Sequence, residues 1–109
     1  MNELKDLQKK LIDFRDKRDW KQFHNAKDLA LALSIEAAEL NELFLWIKSE
    51  EANVEKIKDE LADVFGYALL LAEKYNFDIV EIVNNKITKN NEKYPVDKAK
   101  GNAKKYTEL

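Results

Sequence analysis

The sequence predicts an all-α fold of four helices that self-association completes. Two Gly and one Pro among 109 residues are too few turn-formers for an all-β chain. Apolar residues recur at helical spacing in four stretches. In the third, between Leu61 and Leu71, apolar side chains point in nearly every direction, with Phe65, Leu69 and Leu70 off the main stripe. A helix that is apolar all round must be buried all round. A chain of this length is one domain, 1–109, that buries roughly two-thirds of its unfolded surface, so a second copy is the simplest cover. A homo-oligomer, dimer or tetramer, is expected, with its sites near the subunit interfaces.

The first helix is read from about Asn2 to Arg18, on Leu4, Leu7, Leu11, Ile12 and Phe14. A turn-like segment follows from Asp19 to Asn25 and carries Trp20 and Phe23, the latter expected in the core. The second helix is placed from about Ala26 to Ser49 and the third from about Asn53 to Tyr75. Their short connection makes them antiparallel neighbours. Asn76 and Phe77 break the pattern, and Asp78 is a good N-cap for a fourth helix reaching about Lys93. Tyr94-Pro95 ends it, because Pro disfavours helical geometry in the residue before it. The core then spans about 20–95, and residues 96–109 form a basic C-terminal tail, either a loop or ordered.

Composition removes several classes of function. Without Cys there is no disulfide scaffold, thiolate zinc site or cysteine nucleophile. No apolar run approaches the ~20 residues of a membrane span, and the N-terminus has no signal-peptide core, so a cytoplasmic protein without membrane contact is expected. The net charge is −2, but Asp28 to Asp63 carries −7 while Glu81 to Leu109 carries +3. An acidic centre is poor material for gripping a nucleic-acid polymer and suits a cation instead.

The informative residues are carboxylates in an apolar stripe. With about 100° per residue and Leu29 as zero, Leu29, Leu33, Leu40, Phe44 and Ile47 cluster on one side of the second helix. Glu36 falls inside that stripe at about −20°, and Glu39 sits on its edge at about −80°. A carboxylate among leucines costs several kcal/mol unless it is protonated, paired or metal-bound. The third helix repeats the pattern, with Glu60 and Asp63 flanking the stripe of Ile57, Leu61, Val64, Ala68, Ala72 and Tyr75, and Tyr67 on the same side. Each i,i+3 pair points two acids one way, and on facing antiparallel helices four acids converge. A hard divalent cation relieves their repulsion, and an all-oxygen set selects Mg²⁺ or, as a substitute, Mn²⁺. Mg²⁺ on carboxylates completes its shell with waters and phosphate oxygens, which points to a phosphate-bearing substrate. A di-iron bundle would need two Glu-x-x-His motifs, and the single histidine is His24, in the turn.

These residues stand in a recognisable order. Trp20-x-x-Phe23, Asp28-Leu29-Ala30-x-Ala32-Leu33-x-x-Glu36-Ala37-x-Glu39-Leu40-x-Glu42-x-Phe44-x-Trp46, Glu60-Leu61-Ala62-Asp63-Val64-x-x-Tyr67 and Lys86-x-x-x-Asn90-x-x-x-Tyr94-Pro95 follow one another along the chain. The string resembles the all-α nucleoside triphosphate pyrophosphohydrolases of the MazG superfamily, nearest its small dCTP pyrophosphatase-like branch. The likeness runs from about Trp20 to Tyr94, more loosely to Gly101 and Tyr106. It implies an antiparallel four-helix bundle completed by oligomerisation, commonly a tetramer built from dimers. It also implies Mg²⁺-dependent cleavage of a nucleoside triphosphate between the α and β phosphates, with Glu36, Glu39, Glu60 and Asp63 as metal ligands and catalytic residues. Such a metal would neutralise phosphate charge and lower the pKa of a bound water for in-line attack. One of the four carboxylates would accept that water's proton; Glu39 is the preferred candidate, though the sequence leaves the choice open.

Under this resemblance Trp20, Trp46 and Tyr67 are candidates for base and sugar recognition, because a flat base stacks on aromatics. Trp46, at about −100°, lies on the Glu39 side of its helix. Lys86 and Asn90, four apart, share a face of the fourth helix and would hold phosphates and sugar. Tyr94 and His24 complete the expected substrate contacts. The first helix departs from this pattern, with no His or Arg before Arg15 to reach a substrate. The expected role is nucleotide-pool house-cleaning on a dCTP-like or modified pyrimidine nucleotide, with dUTP-type or phosphoribosyl-ATP-type substrates as alternatives in the same class. The alternative from another class is a non-catalytic helical interaction module in which a metal stabilises the acidic cluster.

Overall fold

Each long helix starts where an Asx side chain satisfies a free backbone N–H. Asn2 caps α1 (Glu3–Lys17), Asn25 caps α2 (Ala26–Glu42), Asn53 caps α3 (Val54–Lys74) and Asp78 caps α4 (Ile79–Lys93). In each case the side-chain oxygen accepts from the N–H three residues on, at 2.7 to 3.1 Å. Asp78 thus acts as the sequence predicts. Pro95 follows α4 and opens a single turn of helix, α5 (Val96–Ala99), while Tyr106–Glu108 form a short 3₁₀ turn, so the tail is ordered.

The computed structural model describes residues 2–109, and among them all regular structure is helical. Two units are distinguished, one ending at Phe77 and the other running from Asp78 to Leu109. In the first, α2 packs along α3, and α1 packs on α3. Glu39, Glu42 and Leu43 line a common groove with Lys56, Asp59 and Glu60, so the end of α2 meets the beginning of α3, as antiparallel neighbours must. The segment before α2 is a 3₁₀ turn at Lys21–Phe23.

α2 is shorter than the apolar spacing predicts. It stops at Glu42, and the chain tightens into i→i+3 turns, with N–H of Leu43, Phe44 and Leu45 on the carbonyls of Leu40, Asn41 and Glu42. The last turn of α2 carries Glu39 and Glu42 but no basic residue, so negative charge sits at the negative end of the helix dipole. The 100° spacing therefore does not extend to Phe44, Trp46 or Ile47.

The core is small. Apolar burial centres on Leu29 of α2, Leu69, Leu70 and Ala72 of α3, and Ala52. Phe23, expected inside, is 63% exposed, because the 3₁₀ turn holds it outward. Arg15 on α1 is buried, its Nη1 donating to Glu73 Oε2 of α3 at 3.1 Å and its Nε to Asp16 Oδ1 at 2.9 Å. Gln8 Nε2 also donates to the Leu69 carbonyl at 2.9 Å, so polar bonds pin α1 onto α3 at two heights.

Gly66 lies mid-helix in α3, where a Cβ would sit 3.7 Å from Leu11 Cδ2, an ordinary contact. Removing its helix-breaking freedom stabilises by about 1 kcal/mol. Gly66→Ala is expected to raise the thermal midpoint by several degrees in a melting experiment, and an unchanged or lower midpoint would contradict this packing.

Candidate active site

The antiparallel seam brings together acids that lie far apart in sequence. One carboxylate oxygen each from Glu36 of α2 and Glu60 and Asp63 of α3 lie within 4.8 Å of one another. Glu36 Oε2 and Glu60 Oε2 are buried without a hydrogen-bond partner. Ionised, each such pair repels by about 3–4 kcal/mol at an effective dielectric of ~20. Burial, then the neighbouring Glu60, Glu39 and Asp63 carboxylates, push the Glu36 carboxyl up to about 7. Glu39, one turn along α2, is exposed and adjoins Glu36 without joining the tight set of three. Orphaned buried oxygens in an all-oxygen cluster fit a hard divalent cation.

Beside this cluster is a cavity of about 130 Å³ that Asp63 shares with it and that Tyr67 also lines. Its walls include Leu11, Phe14, Trp20 and Gly66. The Phe14 and Trp20 rings meet edge to face at 5.9 Å, and the Arg18 guanidinium stacks 3.6 Å from the Phe14 centroid. His24 lies tilted 6.5 Å from Trp20, and its Nδ1 is buried without a partner. Burial, then the charges of Arg15 and Lys74, hold the His24 imidazole below its ordinary value, so it is neutral. Burial and the charges of Glu36, Asp63 and Glu39 push the Tyr67 phenol up, so it keeps its proton.

The sequence matches the MazG-like family model over residues 31–109, which spans most of the chain. The chain belongs to the MazG-like family. It is similar to dCTP pyrophosphatase 1 of Mus musculus, 36% identical over 97% of this chain and 67% of that one. The Homo sapiens protein of the same name is 35% identical over the same shares. A crystal structure of a pyrophosphatase from Archaeoglobus fulgidus DSM 4304 superposes with a TM-score of 0.81 at 36% identity, covering 87% of this chain and 94% of that one.

Within this MazG-like chain, Trp20, His24 and Tyr67 border the cavity beside Asp63, while Trp46 does not. The α2 helix ends before Trp46, which sits in a turn with φ 65° and is 92% exposed, so it has no place on the Glu39 face. Lys86 and Asn90 are exposed on α4, and Tyr94 follows it, meeting Tyr106 edge to face at 6.1 Å. All three belong to the unit that starts at Asp78. Sequence reasoning passed over Arg15 and Phe14 as cavity residues. Arg15 had a signal: it continues the Leu4, Leu7, Leu11 stripe, so a charge stands where an apolar residue belongs.

The sign of the Glu36 shift sets a pH dependence. The folded state binds its proton more tightly than the unfolded chain, where the ordinary value is 4.5. Its contribution is complete below 4.5 and is lost as pH rises through about 7. Without divalent cations the thermal midpoint is expected to fall across that window. A divalent cation should restore it above the window, and Glu36→Gln should flatten the profile. A flat wild-type profile would contradict the crowding.

Proposed function

We propose that this chain hydrolyses a pyrimidine nucleoside triphosphate to the monophosphate and pyrophosphate with Mg²⁺ as its metal. It is a nucleotide pyrophosphohydrolase of the house-cleaning type. The observation that carries the reading is the junction itself: a carboxylate cluster with two orphaned buried oxygens opens, through Asp63 and Tyr67, onto an aromatic cavity. Phosphates and a base need those two environments side by side.

Glu36, Glu60 and Asp63 would hold the ion, with Glu39 beside them. When bound, Mg²⁺ supplies neutralising charge to the phosphate oxygens and acidifies the attacking water. Glu39, exposed and next to Glu36, would serve as the general base. Trp20 gives a face for the base, and the Tyr67 hydroxyl stays protonated as a donor beside the acids. The aromatic walls of the cavity suit a flat ring. The dCTP pyrophosphatase relatives support a dCTP-like pyrimidine. Lys86 and Asn90 are proposed phosphate and sugar contacts on their chemistry. Among the described residues no helix is long and apolar enough to cross a membrane, and nucleoside triphosphate chemistry supports the expected cytoplasmic location.

Incubation with each common and deaminated nucleoside triphosphate should give monophosphate and pyrophosphate with Mg²⁺, and neither in EDTA. Glu36→Gln should lower turnover at least ~100-fold while circular dichroism stays helical. Release of orthophosphate and diphosphate would sink the assignment. Turnover of no nucleotide would favour the alternative of a metal-stabilised interaction module.

The homo-oligomer is supported by what the chain leaves uncovered. Leu31 and Ile35 on α2 and Leu61 and Phe65 on α3 are all more than two-fifths exposed. Apolar surface on this scale relative to so small a core calls for a second copy. Light scattering coupled to size exclusion should give a dimer or tetramer, and Phe65→Glu should shift it towards monomer. A wild-type monomer at micromolar concentration would refute the inference.

A further inference from the structure

The cavity beside the acids is not uniformly apolar. Its polar end is built from two groups that the carboxylate chemistry does not use. Arg15 is 2% exposed and lines the cavity, yet only its Nε and Nη1 are spent, on Asp16 and Glu73. Its Nη2 makes no hydrogen bond among the described residues. His24 lines the same cavity, and its Nδ1 is buried and unbonded. The imidazole nitrogen is costly to bury without a partner, the guanidinium keeps one amino group to spare beyond its two carboxylates, and both residues line the cavity. One is a fixed donor. The other, on a neutral ring, is free to accept.

We propose that Arg15 and His24 read the hydrogen-bonding edge of the base, Arg15 donating from Nη2 to a ring-edge acceptor and His24 Nδ1 accepting from an exocyclic amino group. The inference rests on the pyrophosphohydrolase reading and adds its specificity determinants. A cytosine-type edge offers an amino donor next to a ring acceptor. A uracil-type edge reverses both, placing a carbonyl where the amino group stood and an N–H where the ring acceptor stood. Against that edge Arg15 Nη2 meets a donor and stays unpaired, while His24 pairs only after its ring proton moves to Nδ1. Hydrogen bonds involving a charged group carry enough energy for about 10–100-fold discrimination. Arg15 is held in place for this by its Glu73 bond across to α3, so the reading group is anchored to the helix that also carries Asp63.

The test compares kcat/KM for 2′-deoxycytidine and 2′-deoxyuridine triphosphates with the full-length protein and Mg²⁺. Wild type should favour the cytosine substrate by about 10–100-fold. Arg15→Met should lower cytosine turnover about 10-fold or more and leave uracil turnover within about 3-fold, collapsing the ratio. His24→Leu should act in the same direction. If Arg15→Met fails to fold by circular dichroism, the His24→Leu ratio decides. A wild type without base preference, or folded variants that slow both substrates equally, would overturn the proposal and leave hydrolysis standing. Failure of wild type to release pyrophosphate from any nucleotide would instead remove the activity, and the proposal with it.

Discussion

Carboxylates crowded into a helix seam are the constraint on which this structure turns. Glu36, Glu60 and Asp63 approach within 4.8 Å where two of their oxygens have lost water and gained no donor. Left alone, such a cluster destabilises the fold, and it persists only because the surrounding elements over-determine it. Asn25 and Asn53 fix the starts of α2 and α3, and the short connection makes the helices run back along each other. The proton on Glu36 and a divalent cation are then alternative answers to one electrostatic problem. Stability spent in this way is the usual mark of a trade-off between stability and activity, which is the ground of the proposed metal-binding role.

The second polar anomaly has the same form with the opposite sign. Arg15 occupies the buried stripe of α1 as Glu36 occupies that of α2. Its bond to Glu73 ties α1 to α3 and fixes the wall from which Phe14 projects towards Trp20. Positive and negative buried groups do not neutralise each other here. Arg15 lines the ring cavity, Glu36 belongs to the acid cluster, and Asp63 is common to both. A ligand that is aromatic at one end and anionic at the other matches that division.

What the sequence disclosed follows from periodicity and from charge in the wrong place. Four helix starts, the Asp78 cap and the meeting of Glu36 with Glu60 and Asp63 were legible, because spacing and a short connection dictate them. The end of α2 was not. The apolar spacing continues through Phe44 and Ile47, and no Gly or Pro intervenes; the adverse charge of Glu39 and Glu42 on the helix end is a weaker signal than the stripe. Trp46 was misplaced for that reason. Glu39 was expected as an equal fourth acid, whereas its wheel position on the edge of the stripe leaves it exposed beside the three. Arg15 was passed over because it was weighed as an absent substrate contact and not as a charge inside an apolar row. The same test that singles out Glu36 singles it out too.

Tyr67 shows why the two halves of the site act as one. Its hydroxyl is kept protonated by burial and by the negative charge of Glu36, Asp63 and Glu39, while its ring borders the cavity. A neutral donor therefore stands at the cavity wall within the field of the acids. On the proposed reading, a nucleotide's ring and phosphates meet groups carried by one helix, because Asp63 of α3 lines the cavity and also belongs to the acid cluster. Selection at the ring is thereby converted into reaction at the phosphate. Binding energy from the remote part of the substrate then contributes to turnover as well as to affinity.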